Sequence, residues 1–285
     1  MTVLTQPATV AMRPVRLILA ILALTVATLP AGAADRDRLQ AFLEVTGFGV
    51  ALDSIALSAT DAPQMLGMQA SDFGTEWRHA AEDVFDTDGM RETALSILEQ
   101  TLSDELLTHA AAFYASPLGQ RLVEVENASH MTEDDSAKAA RGEALIGEMV
   151  ELGDQRIDVL RGLTTAVNGD DVAVRAVQEV QVRFLMAASY AGVLENELDE
   201  GALRALMRAN ESDLRVSLSK SALSGAAYTY RDISNDDLVA YLEALKEPQM
   251  QRVYELMNAV QYEIMASRFE VLAARMATLN RGQDL

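Results

Sequence analysis

Three short stretches of this 285-residue chain set reactive or ligating side chains at spacings that chemistry uses. Glu76 and His79 stand three apart, so on a helix they share a face and offer a carboxylate and an imidazole to a metal ion. A di-metal bundle needs that pattern on two helices with two further carboxylates. No second Glu-x-x-His exists here, His109 and His130 are isolated, and there is no cysteine, so a zinc site is poorly supplied. Asp83-Val84-Phe85-Asp86-Thr87-Asp88-Gly89 resembles a calcium loop. With Gly89 as its sixth residue, however, the first and twelfth are Val84 and Leu95, which cannot ligate. The stretch reads better as a helix-ending turn in which Asp86 or Asp88 caps the next helix. Ser217-Leu218-Ser219-Lys220 fits the Ser-x-x-Lys of penicillin-recognising enzymes, but the Ser-Asp-Asn and Lys-Thr-Gly elements of that chemistry are missing. There is no nucleophile elbow, phosphate loop or dinucleotide fingerprint. No metal, cofactor or catalytic residue is therefore assigned, and a non-catalytic protein is favoured over an enzyme. An enzyme on this chain would be a hydrolase without a recognisable motif, betrayed by strongly shifted carboxylates in a cleft.

The elements that position these side chains read as helices throughout. Ala, Leu, Met, Glu, Gln and Arg dominate, and apolar residues recur at three- and four-residue spacing, as in Leu39-Phe42-Leu43, Leu118-Leu122-Val125 and Val253-Leu256-Val260-Ile264. The expected class is all-α. One segment occurs twice, 131 positions apart: Ser103, Leu107, Pro117, Gln120, Arg121, Glu124, Asn127 and Ala128 meet Ser234, Leu238, Pro248, Gln251, Arg252, Glu255, Asn258 and Ala259. Those 8 identities in 28 positions compare with roughly 2 expected by chance at average composition. A fixed offset of this kind marks a duplicated folding unit. Ser103 and Ser234, each followed by acids, read as N-caps, and Pro117 and Pro248 each open a new helix after a tight break. Asn168-Gly169-Asp170-Asp171 is the turn signal between the copies. Phe42-Leu43 and Phe184-Leu185, at an offset of 142, suggest that the repeat extends upstream with a shorter second copy. The chain is accordingly expected to form two tandem, pseudo-repeated helical-bundle domains, 34–167 and a diverged 168–285.

On a helix opening at Pro117, Leu118, Leu122 and Val125 share one face, with Gln120, Glu124 and Asn127 on the other. A purely solvated face drifts after duplication, yet the polar set recurs as Gln251, Arg252, Glu255 and Asn258. With Arg121, these residues form a candidate interaction face for the other repeat, a second subunit or a ligand. The bland alternative is a solvated surface with an Arg121–Glu124 pair worth about 0.2–0.5 kcal/mol. Phe113 and Tyr114, with Met65 and Met68 upstream, fit core better than an apolar pocket.

The stretch Phe113-Tyr114-Ala115-Ser116-Pro117-Leu118-Gly119-Gln120-Arg121 resembles the signature of an exported bacterial helical family, domain of unknown function 2059. That family follows an acidic helix start with an aromatic pair, Ser-Pro and Gly-Gln. The second copy keeps Pro248, Gln251 and Arg252 but has Ala244-Leu245, Glu247 and Met250 in place of Phe113-Tyr114, Ser116 and Gly119. The resemblance implies a helical, periplasm-facing protein and no particular activity.

Compartment and charge narrow the partners. Arg13 and Arg16, the apolar run Leu17–Leu29 and the small residues Ala31-Gly32-Ala33 read as a signal peptide, 1–33, cleaved before Ala34. Met12 is an alternative start. Thirteen apolar residues are fewer than the 20 or so that span a bilayer, and no other segment qualifies. Without the leader, 21 basic side chains face 43 acidic ones, a net charge of −22, which repels nucleic acid and anionic lipid. The expectation is a periplasmic, non-catalytic protein acting through protein–protein contacts, as a partner or by self-association. The first alternative is a carrier of a small apolar ligand held between helices.

Overall fold

In a computed structural model that describes residues 35–194 and 196–281, the chain is all-α, with no strand among the described residues. Residues 1–33, the expected signal peptide, lie outside the described residues. Helices α1 (Arg36–Val45) and α2 (Phe48–Ala59) meet at a sharp break. Two short 3-10 turns, Ala62–Leu66 and Ala70–Phe73, lead to α3 (Trp77–Val84) and α4 (Thr87–Thr101). Then come α5 (Asp104–Tyr114), α6 (Pro117–His130), α7 (Asp135–Leu152) and α8 (Arg156–Asn168). The remainder is α9 (Asp170–Ala191), α10 (Glu200–Ala209), α11 (Glu211–Thr229), α12 (Asn235–Lys246) and α13 (Pro248–Arg281).

The caps explain the boundaries. Ser103 Oγ accepts the Leu106 amide at 3.4 Å and Ser234 Oγ accepts the Asp237 amide at 3.1 Å, each opening a helix whose first turn is acidic. Asp86, in the stretch that resembles a calcium loop, caps α4 by accepting the Gly89 amide at 2.7 Å. Pro117 and Pro248 are the first residues of α6 and α13, where a missing N–H costs no hydrogen bond. Ser116 caps α6 through the Gly119 amide at 3.1 Å, whereas Glu247, its counterpart in the second copy, makes no such side-chain bond to the start of α13 among the described residues. Gly119 lets α6 lie directly on the end of α5: a Cβ there would fall 2.3 Å from the Phe113 carbonyl and 2.5 Å from the Tyr114 Cα.

The described residues from 35 to 281 form one compact unit, and the boundary expected at 167/168 falls inside it, between α8 and α9. The shared core follows from the length of α13, whose 34 residues extend about 50 Å. It packs along α9 and against α3, α4 and α5. Phe269 stands edge-on to both Phe85 and Phe184, at 5.1 and 5.8 Å, so one ring ties three distant segments. Arg183 on α9 bonds Glu263 and Glu270 on α13 at 2.9 and 2.5 Å. No single described helix is long and apolar enough to cross a membrane; α1 and the start of α2 pass only as a bent pair, and their apolar residues Leu39, Phe42, Leu43, Leu52 and Ile55 are core.

Candidate functional site

The two repeated segments meet in space. Tyr114 of the first and Tyr241 and Tyr254 of the second bring their hydroxyls together: Tyr114 and Tyr241 are 3.2 Å apart, Tyr241 and Tyr254 3.0 Å, and Tyr114 and Tyr254 are also hydrogen-bonded. The Phe113 ring stacks on Tyr241 at 5.7 Å. Around this cluster His109 reaches Glu247 at 3.1 Å, Gln249 donates to Glu105 at 2.8 Å, and Arg121 pairs with Asp237 at 3.0 Å. Phe113 and Tyr114 thus pack against α12 and α13.

Beside the tyrosines a pocket of about 380 Å³ opens between the break joining α1 to α2, the ends of α6 and α11, the second half of α8 and the first half of α13. Its walls are part apolar (Phe48, Leu163, Val167, Met257) and part polar (Glu126, Tyr230, Tyr241, Tyr254). Glu126 is the central group. Its Oε1 accepts the Tyr230 hydroxyl at 2.7 Å, and Tyr230 is held there because Arg156 donates to the Tyr230 and Ile233 carbonyls at 2.6 and 2.9 Å. The residue keeps some solvent contact, yet protein surrounds its carboxyl. Burial therefore pushes the acid up from 4.5 to about 7, against the Tyr230 and Tyr241 hydrogen bonds that favour ionisation. Among the described residues, no Arg, Lys or His forms an ion pair with it. Burial also raises Tyr114, Tyr230 and Tyr241 well above the ordinary phenol, so they remain neutral donors.

At the pocket's other end, Lys138 donates to the Ser129 carbonyl at 2.8 Å, and Ser129 and Thr229 share a hydrogen bond of 2.7 Å. Desolvation, then the Lys138 charge, holds the His130 imidazole below its usual value. An adjoining groove with Glu133, Asp134 and Asp135 shares His130 and Lys138 with the pocket.

The candidate face divides. Gln120, Arg121, Glu124, Arg252 and Glu255 are exposed, whereas Asn127, Gln251 and Asn258 turn inward. Arg121 bonds the Pro117 carbonyl and Asp237, the second copy's acid, in place of the expected pair with Glu124; the second copy keeps the local pair, Arg252–Glu255 at 2.7 Å. Gln120 and Gln251 both reach back to the helix before their own, at the Ala115 and Leu245 carbonyls, and Gln251 also bonds Ala166 O at 2.8 Å. Asn127 and Asn258 line the pocket. Each abuts a break between helices. Asn258 donates to the Val167 carbonyl at 2.8 Å, beside the break between α8 and α9. The Asn127 Oδ1, buried and without a protein partner among the described residues, lies against Gly47, whose φ of +72° suits glycine and where a Cβ would come within 2.5 Å of that oxygen.

Other sequence candidates lie elsewhere. His79 is an exposed residue 3.5 Å from Glu82, and among the described residues no group of three or more His, Asp or Glu is placed to hold a metal. Ser217 is exposed and Lys220 pairs with Glu143 at 2.9 Å. Met65 is exposed, Met68 half-buried, and neither lines the pocket.

Comparison with known proteins bears on the segment that carries α5 and α6. Residues 88–148 match the DUF2059 family, described as an uncharacterized protein conserved in bacteria. The match runs from the start of α4 into α7, and so contains Phe113-Tyr114, Ser116-Pro117, Gly119 and Glu126. No curated protein and no solved structure matches the chain. Glu126, Tyr241 and Tyr254 escaped the reading of motifs, though the repeat carries their signal. At 131 positions' offset Glu126 faces Met257, Tyr241 faces Ala110 and Tyr254 faces Val123, so polar groups stand where the other copy has inward apolar ones.

Proposed function

We propose that this chain is a periplasmic, non-catalytic binding protein that holds a small ligand in the pocket beside the tyrosine cluster. The observation that carries the reading is the pocket itself: about 380 Å³, partly apolar walls, and a few convergent polar groups around one enclosed carboxyl. That combination is how small-molecule sites are built. A shifted carboxylate in a cleft also suits a hydrolase, but the partner of Glu126 is the phenol of Tyr230, and the pocket's Ser and Thr hydroxyls bond one another or backbone carbonyls, so among the described residues no aliphatic hydroxyl on the pocket is paired with a base. The same reading takes the two segments as diverged copies whose Asn127 and Asn258 line one shared site.

The test is native mass spectrometry of the protein purified from the periplasm, compared with its denatured mass. A mature chain starting at Ala34, carrying extra mass that vanishes on denaturation, is expected. A bare mass would overturn tight carriage, and a retained leader would overturn export by cleavage. A second reading, self-association or a protein partner, is favoured by the exposed Val150, Leu152, Leu206 and Val216 on α7, α10 and α11. It predicts a multimer in the same spectra.

A further inference from the structure

We infer that the ligand is an organic ammonium ion, with its charge beside the Glu126 carboxyl and its hydrocarbon body against Phe48, Leu163 and Met257. This rests on the pocket being a binding site. Most of the arginines that make ion pairs here, such as Arg36, Arg183, Arg204 and Arg215, hold their carboxylates at the surface. The one carboxyl enclosed at the pocket has phenols as its hydrogen-bond partners: Tyr230 from the end of α11 and Tyr241 from α12, with Tyr254 of α13 and Tyr114 of α5 bonded to Tyr241 behind them. An enclosed carboxylate without a counter-ion is costly, and a cation delivered by a ligand removes that cost.

The walls fit the same occupant. Tyr230, Tyr241, Tyr254 and Tyr262 all line the pocket, and aromatic faces attract ammonium groups. The remaining charged or titratable groups on the pocket are His130 of α6 and Lys138 of α7, and Lys138 donates to the Ser129 carbonyl at 2.8 Å, not to Glu126. The acidic surface, with 43 Asp and Glu to 23 Lys and Arg over the whole chain, also concentrates cations around the molecule. Since Glu126 titrates near 7, a cation that binds its ionised form displaces about half a proton at pH 7.

Titration calorimetry of the mature chain, stripped of ligand by reversible unfolding, tests this. The probes are phenethylammonium and choline, each set against its uncharged counterpart, 2-phenylethanol and 3,3-dimethylbutanol. The expected result is binding of at least one cation at least tenfold tighter than its counterpart, with affinity rising up to tenfold per pH unit below pH 7 and levelling above it. Glu126→Gln is expected to erase the preference; its fold is checked by circular dichroism, and the wild-type pH profile stands as evidence if that variant fails to fold. Alcohols that bind as well as the cations would overturn the ammonium assignment and leave the pocket reading standing. If neither class binds and the purified protein carries no extra mass, both fall.

Discussion

Glu126 shows how a single position changes the physics of a helix end. On α6 it follows Val125 and precedes Asn127, and nothing local separates it from the exposed Glu124. Its enclosure makes the folded state hold a proton that the unfolded chain, with an ordinary glutamate near 4.5, has already lost by neutral pH. Stability from this group therefore declines as pH rises from 4.5 through about 7, by something on the order of 3 kcal/mol in full. Glu126→Gln should melt at a higher temperature than the parent at pH 8 and together with it near pH 4.5, as thermal unfolding at the two pH values will show. Equal melting at pH 8 would mean that the carboxyl is solvated. Gly119 is the second decisive residue. The Cβ of Gly119→Ala would press into the Phe113 carbonyl and Tyr114 backbone, which cannot rotate away, so a loss of roughly 1–3 kcal/mol is expected in urea unfolding. A variant as stable as the parent would show that α6 can slide off α5.

Among the elements, the two similar segments each form a short capped helix, a break, and a helix opened by proline. The two segments differ at the break. The first uses Ser116 as a cap and Gly119 for a close crossing. The second has Glu247 and the buried Met250 there, and its α13 runs on to Arg281 where α6 stops at His130. The opening caps are still equivalent, so Ser103→Ala and Ser234→Ala should each cost about 1 kcal/mol in chemical denaturation. A much larger loss at Ser234 than at Ser103 would indicate that α12 takes a further load through Asp237 and Arg121.

The whole molecule is organised around α13. Because its side chains close the core against α3, α4, α5 and α9, the two halves of the sequence have no separate interiors. Scanning calorimetry of the mature chain should therefore give one cooperative transition. Two resolved peaks, with one surviving alone in a fragment ending near Asn168, would restore two independent domains. Tyr241→Phe should act on the same junction. It removes a hydroxyl shared with Tyr114 and Tyr254 while keeping the ring against Phe113, and is expected to cost about 1 kcal/mol with no change in helix content.

Helical class and the positions of the caps and proline breaks were determined by the sequence alone. All of these are set within a turn or two of chain: a serine oxygen accepts an amide three residues on, a proline fixes its own φ, and apolar spacing reports a face. The direction of that face is also legible, and Leu122 and Val253 are buried as their spacing implies. What covers the opposite face is not a local property. Asn127, Gln251 and Asn258 turn inward while Gln120 and Glu124 do not, because the break between α1 and α2 lies against the end of α6 and the last residues of α8 lie against the first part of α13. Tertiary structure alone brought Tyr114, Tyr241 and Tyr254 together and put Tyr230 on Glu126. A carboxyl acquires its acidity from everything packed around it, and the residues around this one come from positions more than 100 apart in the chain.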